Sequence, residues 1–311
     1  KSNEEIAVDV GLGLLEEFGT IKNEICFSKR APEQTQAIWD AAGIRPRSVD
    51  REIVEAMHRV HMGVGASHVN ILLHGLRTSL GDGWGGSMMG TEISDVLFGT
   101  PTINQSKVNL GVLKEEYVNV SLHGHNPMVS EMIVRASEDP DIQALAEKVG
   151  AKGVNLVGLC CTGNELLMRK GIPMTGNHLN QELVITTGAV EAMIIDYQCI
   201  FPSLPRTASC YHTKIVSTSD KSKVVGSYYY EFKPETAYET AKAILKMAVN
   251  NFPNRISEKV MIPGKPVDLM ADSRWRPYRR PSAEPSSRSL TPLPMAGSGE
   301  RLVSSAATTR R

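Results

Sequence analysis

Through its first third the chain places apolar residues three and four positions apart. LGLLEEF at 12–18, EQTQAIWDAAG at 33–43 and VDREIVEAMHRVHMG at 49–63 all carry that spacing, which predicts helix over residues 1 to about 62. In the third segment Val54, Met57 and Val60 share one side, and Asp50 stands where an N-cap belongs. SHVNILLHGLRTSL at 67–80 predicts a further helix, which runs into the densest glycine stretch, GDGWGGSMMG at 81–90.

From Val118 the period changes. VNVSL (118–122), VNLVGL (154–159), AMIIDY (192–197) and KIVSTS (214–219) are short β-branched or apolar runs, separated by segments long enough for a helix. Asn126 and Pro127 supply a cap and a first-turn proline, and further helices are expected from about Asn164 to Lys170 and from Glu235 to Val249. The pattern predicts an α/β chain: a helical N-terminal part at 1–110, then a Rossmann-like parallel sheet with helices on both faces at 111–255. Residues 256–311 are expected to be irregular or disordered.

The alternation aligns three metal-binding side chains. His125, Cys161 and Cys199 each stand just after an apolar run and just before a helix start, 36 and 38 residues apart, and each interval fits one β-α-β repeat. In a parallel sheet such positions converge on one edge. His123 competes with His125 and would otherwise orient the site. Of the neighbouring pair Cys160 and Cys161, one is expected to bind and the other to pack beside it. Cys210 precedes a strand, which sends it to the opposite edge, and Cys26 belongs to the helical part. No CxxC pair suggests a zinc ribbon, and one imidazole with dispersed thiolates suits an iron–sulfur centre with a second metal better.

Composition narrows the function further. Thirty-four basic and 34 acidic residues cancel, and no apolar stretch approaches the roughly 20 residues of a membrane span, so neither a nucleic-acid surface nor a membrane span is expected. Five cysteines, two of them adjacent, do not form the framework of a secreted disulfide protein, which points to a reducing cytoplasm. The chain opens on Lys1 without the plan of a signal peptide, as a fragment or processed chain would. From Ser273 on there are eight Arg and no Lys, with eight Ser and five Pro, a composition too poor in apolar surface to fold.

Several long stretches resemble one family. SVDREIVEAMHRVHMGV, LRTSLGDGWGGSMMGTEISDVLFGTPT, NLGVLKE, HGHNP, GLCCTGNE and GAVEAMIIDYQCI all look like the catalytic subunit of the anaerobic nickel-containing carbon-monoxide dehydrogenases, over residues 5 to about 263. The resemblance implies a nickel–iron–sulfur cluster held by His125, Cys161 and Cys199, and reversible oxidation of CO with water to CO2, two protons and two electrons. It also implies a homodimer, a ferredoxin-like electron acceptor, and 4Fe-4S clusters whose ligands this sequence does not contain. The related hybrid-cluster proteins, which reduce hydroxylamine, are the alternative. DGWGGSMMGTEISDVLFGT favours the dehydrogenases.

The chain departs from that pattern at its end. The family's cluster needs three more cysteines after Cys199, the first in a GCNNPR motif, and none follows Cys210. Ala306 to Arg310 reads AATTR, which codons for GCNNPR can give one base out of phase, so a frameshift soon after Pro263 is expected. The chain alone is therefore expected to be inactive, and a non-catalytic metal-binding remnant is the remaining reading.

Overall fold

A computed structural model describes residues 1–19 and 24–271. Among the described residues the chain divides into two compact units, residues up to Thr100 and residues 101–271. The basic segment from Ser273 lies outside the described residues.

The first unit is helical: α1 (Asn3–Gly19), α2 (Glu33–Ala41), α3 (Val49–Met62), α4 (His68–Gly81) and α5 (Met88–Phe98). Ser48, not Asp50, caps α3, its hydroxyl accepting the Arg51 N–H at 3.3 Å. Asp50 sits in the first turn, where its charge complements the positive helix end. The side carrying Val54, Met57 and Val60 is exposed, and α3 buries Val49 and Glu52 instead. The glycine stretch is helix as well. A π-helical turn over Asp82–Ser87 joins α4 to α5, and Gly85 packs so closely that a Cβ there would lie 2.6 Å from Val49.

The second unit is an eight-stranded sheet layered with helices. In chain order it runs β1 (Asn104–Val108), β2 (Val118–His123), α6 (Pro127–Ser137), α7 (Pro140–Lys148), β3 (Val154–Leu159), α8 (Cys160–Lys170) and β4 (Met174–Gly176). There follow α9 (Gln181–Thr186), β5 (Val190–Ile195), α10 (Leu204–Ala208), β6 (Lys214–Ser217), β7 (Tyr228–Tyr229), α11 (Ala237–Asn251) and β8 (Val267–Ala271). The strand order is β7-β6-β5-β2-β3-β4-β1-β8, and every pairing is parallel except β1 with β8. Residues 256–271, expected to be irregular, thus contribute an edge strand paired along the whole of β1.

Strand period 2 explains the two cores. Ala192 and Ile194 of β5 point to the face covered by α6, α7 and α11, whereas Met193 and Ile195 point to the face covered by α9 and α10. β2 and β5 are buried at every position, as strands covered on both faces must be. β2 lies between β3 and β5, so the chain progresses outward to one side through β3 and β4, then returns to the other side through β5, β6 and β7. That reversal opens a crevice at the carboxyl ends of β2 and β5.

The amino edge of the sheet is closed by a buried ion pair. Glu191, fully buried, accepts from the Asn119 N–H at 2.6 Å, from Arg255 Nε at 2.8 Å, and bonds His212 Nε2 at 2.8 Å. Arg255 also donates to the carbonyls of Glu115, Tyr117 and Ala189. Asn251 reaches the Glu191 and His212 carbonyls at 2.9 and 2.7 Å.

Candidate metal centre

Three short turns meet at the carboxyl edge. Gly124-His125 follows β2, Cys160 opens α8 directly after β3, and Gln198-Cys199 follows β5. Their backbones are held together: the Thr162 N–H donates to the Gly124 carbonyl at 2.8 Å and the Asp196 N–H to the His123 carbonyl at 3.3 Å. Cys160, Gln198 and Cys199 all have left-handed backbones, with φ of 62°, 62° and 57°. Left-handed geometry costs a non-glycine residue on the order of 1–3 kcal/mol and persists only where the surroundings enforce it.

The result is a set of donor atoms within 4.8 Å of one another, from His125, Cys160 and Cys199. Cys199 Sγ stands 4.0 Å from His125 Nε2, near the roughly 3.5 Å that separates a sulfur and a nitrogen donor on one tetrahedral ion. Of the three residues singled out from sequence, the structure brings His125 and Cys199 together. The thiol it adds to them is that of Cys160 rather than Cys161. Both cysteines lie in the first turn of α8, not at the end of a strand, so strand alternation does not decide which of them faces the donors. Cys161 is half-buried and shares a hydrogen bond with the Cys160 thiol; that bond, together with burial, pushes the Cys160 pKa up. Cys26 and Cys210 are exposed and stand outside the group.

His123 is tied to a buried glutamine. Gln181, fully buried, donates from Nε2 to the carbonyls of His178 and Cys199 at 2.6 and 3.0 Å, and its Oε1 accepts the Phe201 N–H at 2.9 Å. The same oxygen lies 3.0 Å from His123 Nε2, which must therefore carry the ring proton. Burial pulls the His123 pKa down to about 4 against that hydrogen bond, so the ring is neutral near pH 7. Gln181 and Asp196 escaped the sequence reading. Asp196 was within sight as the first residue of the DYQC stretch, whereas a glutamine at a helix start gives no signal.

The donors suit a transition metal. Thiols and imidazole are soft and borderline ligands, and they favour iron, nickel and zinc over hard cations. Nδ1 of both His123 and His125 and Oγ1 of Thr162 are buried without a hydrogen-bond partner among the described residues, as expected of a shell arranged around something other than itself. A second cluster, Glu52, Glu55 and His74, does not share this character. Arg47 and Arg77 bind both carboxylates and Arg59 binds Glu55, so the oxygens are already engaged by guanidinium groups. Burial pushes Glu55 upward, but the hydrogen bonds of Arg47 and Arg59 outweigh it and bring its pKa to about 2. No helix among the described residues is long and apolar enough to cross a membrane.

Comparison with known proteins identifies the family. Residues 1–278 match the model of the Prismane/CO dehydrogenase family. Carbon monoxide dehydrogenase 1 of Methanosarcina acetivorans is 57% identical over 270 residues, covering 87% of this chain and 43% of that protein. Carbon monoxide dehydrogenase 2 of Carboxydothermus hydrogenoformans is 42% identical over 272 residues, covering 87% and 42%. A nickel-free crystal structure of carbon monoxide dehydrogenase from Thermococcus sp. AM4 superposes with a TM-score of 0.80 at 49% identity, over 88% of this chain and 43% of that one. The chain thus spans less than half the length of the relatives it matches. The family match extends past Pro263, to residue 278.

Proposed function

Since the chain belongs to the Prismane/CO dehydrogenase family, we propose that it is part of the catalytic subunit of a nickel–iron–sulfur carbon-monoxide dehydrogenase. The reaction is CO plus water to CO2, two protons and two electrons, in either direction, with the electrons passing to a ferredoxin-like acceptor and the whole enzyme a homodimer. The observation that carries the reading is the convergence of His125, Cys160 and Cys199 on one edge of the sheet, with Cys161 next to Cys160 in α8. The names of the relatives favour this activity over hydroxylamine reduction.

His125, Cys161 and Cys199 would hold the cluster, beside Cys160, whose thiol lies within 4.8 Å of the His125 and Cys199 donors. When bound, the cluster supplies Lewis acidity and two-electron redox chemistry. The chain's own residues hold the donors in place. Gln181 fixes the carbonyl of Cys199 and the N–H of Phe201, which sets the left-handed turn that presents the thiol. His123, kept neutral, brings no positive charge beside the donors. These donors fill only part of a cluster's shell, and we assign turnover to the longer protein.

Anaerobic reconstitution of the chain with ferrous iron, sulfide and nickel tests the reading. Iron and nickel should be retained with sulfur-to-iron charge-transfer absorption, and substitution of His125, Cys161 or Cys199 by alanine should lower both retained metal and absorption. Equal metal in all four proteins, or none in the unsubstituted chain, would overturn it.

A further inference from the structure

Asp196 directly follows β5 and is 2% exposed. Its carboxylate points back across the sheet edge to the turn after β2. Oδ1 accepts the His125 N–H at 2.6 Å, Oδ2 accepts the Asn126 N–H at 2.9 Å, and Oδ1 also takes the N–H of Tyr197. A buried carboxylate is costly unless its oxygens are fully used, and here three backbone N–H groups use them. The turn it holds is shaped for it. Gly124 has φ of +130°, and a Cβ built there would lie 1.9 Å from Asp196 Oδ1. Any side chain at 124 would displace the carboxylate, and any loss of the carboxylate would free the turn.

The consequence reaches both donor turns. Asp196 is two residues before Gln198, where the left-handed run leading to Cys199 begins, while its oxygens fix the backbone of His125 itself. One side chain therefore sets the register between the imidazole and the thiol, which come from strands next to each other in the sheet but 74 residues apart in sequence. The backbone bonds between the two strands end with the Asp196 N–H on the His123 carbonyl, and beyond it this carboxylate continues the connection.

We propose that Asp196 is a positioning residue for the metal centre: by gripping the backbone of His125 and Asn126 it places the His125 imidazole against Cys199. The proposal rests on the metal-centre reading above. Asp196→Asn keeps the shape but turns one acceptor into an NH2 group facing a backbone N–H, so the grip on the turn is lost while the core remains.

The test uses the full chain and Co2+ alone as probe, reading affinity and the visible spectrum for the unsubstituted chain, Asp196→Asn, His125→Ala and the double variant. Outer partners of metal ligands typically contribute about 10–100-fold in affinity. Asp196→Asn should weaken Co2+ binding by about 10-fold, keep the sulfur-to-cobalt bands, and shift the ligand-field bands toward those of His125→Ala. In the His125→Ala background the same change should have no further effect, because Asp196 acts through that residue. Far-UV circular dichroism identifies any variant that has not folded, and Gly124→Ala, which attacks the same contact from the other side, then takes its place. Co2+ bound equally by Asp196→Asn and the unsubstituted chain, or additive losses in the double variant, would overturn the proposal alone. No Co2+ bound by the unsubstituted chain would overturn the metal reading and this inference with it.

Discussion

The two edges of the central sheet treat their buried polar groups in opposite ways. At the amino edge Glu191, Arg255, His212 and Asn251 form a closed network in which each charge meets a partner within hydrogen-bonding distance. At the carboxyl edge Nδ1 of His123, Nδ1 of His125 and Oγ1 of Thr162 are buried without one, and two of the cysteines and a glutamine adopt left-handed backbones. A fold satisfies its own polar groups where only stability is at stake. Where it leaves them open and accepts backbone strain, a ligand is the economical explanation, and the donor chemistry of the carboxyl edge says which kind.

The largest expected effect lies at the amino edge. Arg255→Ala leaves Glu191, fully buried, without its strongest partner and also strips three backbone carbonyls of a donor. Removing one member of a buried pair costs about 3–5 kcal/mol, measurable by urea or thermal unfolding. Metal uptake by the protein that remains folded should be unchanged. If Arg255→Ala abolished metal uptake at temperatures where circular dichroism still shows native structure, the contrast between the edges would fail.

The central part of the sheet was legible because burial on both faces leaves little latitude in residue choice. VNVSL, VNLVGL and AMIIDY are β2, β3 and β5, the strands that carry the donor turns, and KIVSTS is β6. The outer strands escaped because they are polar, very short or only partly buried. β1 is the polar NQSKV, β4 and β7 have three and two residues, and β8 begins with three residues that are mostly exposed. In the helical unit, equating an apolar side with a buried one failed for Val54, Met57 and Val60, which are all exposed. Helical spacing tells which residues share a side, and not whether anything covers it.

The donor site was half legible for a related reason. A strand followed by His or Cys and then a helix start is a pattern in sequence, so His125 and Cys199 could be found. The residues that hold them are recognisable only from contacts across 58 to 71 residues of chain, as between His123 and Gln181 or between His125 and Asp196. Gln181→Leu probes that hidden layer and is the intermediate case. It removes four hydrogen bonds at once and takes the Gln181 partner from His123 Nε2, the Phe201 N–H and the Cys199 carbonyl, for a loss of about 2–3 kcal/mol. Unlike Arg255→Ala it should also reduce Co2+ affinity, because the Cys199 turn loses its anchor. A variant that lost stability yet bound Co2+ as tightly as before would show that Gln181 serves the fold alone.

The smallest expected effect separates charge from burial. Lys152 and Glu116 form an ion pair at the same amino edge as Arg255 and Glu191, but their side chains are 60% and 64% exposed, and water competes for both. Glu116 pulls the Lys152 pKa upward, yet at this exposure the shift says little about stability. Lys152→Ala should leave the unfolding midpoint and Co2+ affinity unchanged within error. A midpoint shift as large as that of Arg255→Ala would mean that the amino edge depends on its summed charge. An unchanged midpoint places the difference where the structure has it, in Glu191 and Arg255 being enclosed with every polar atom answered.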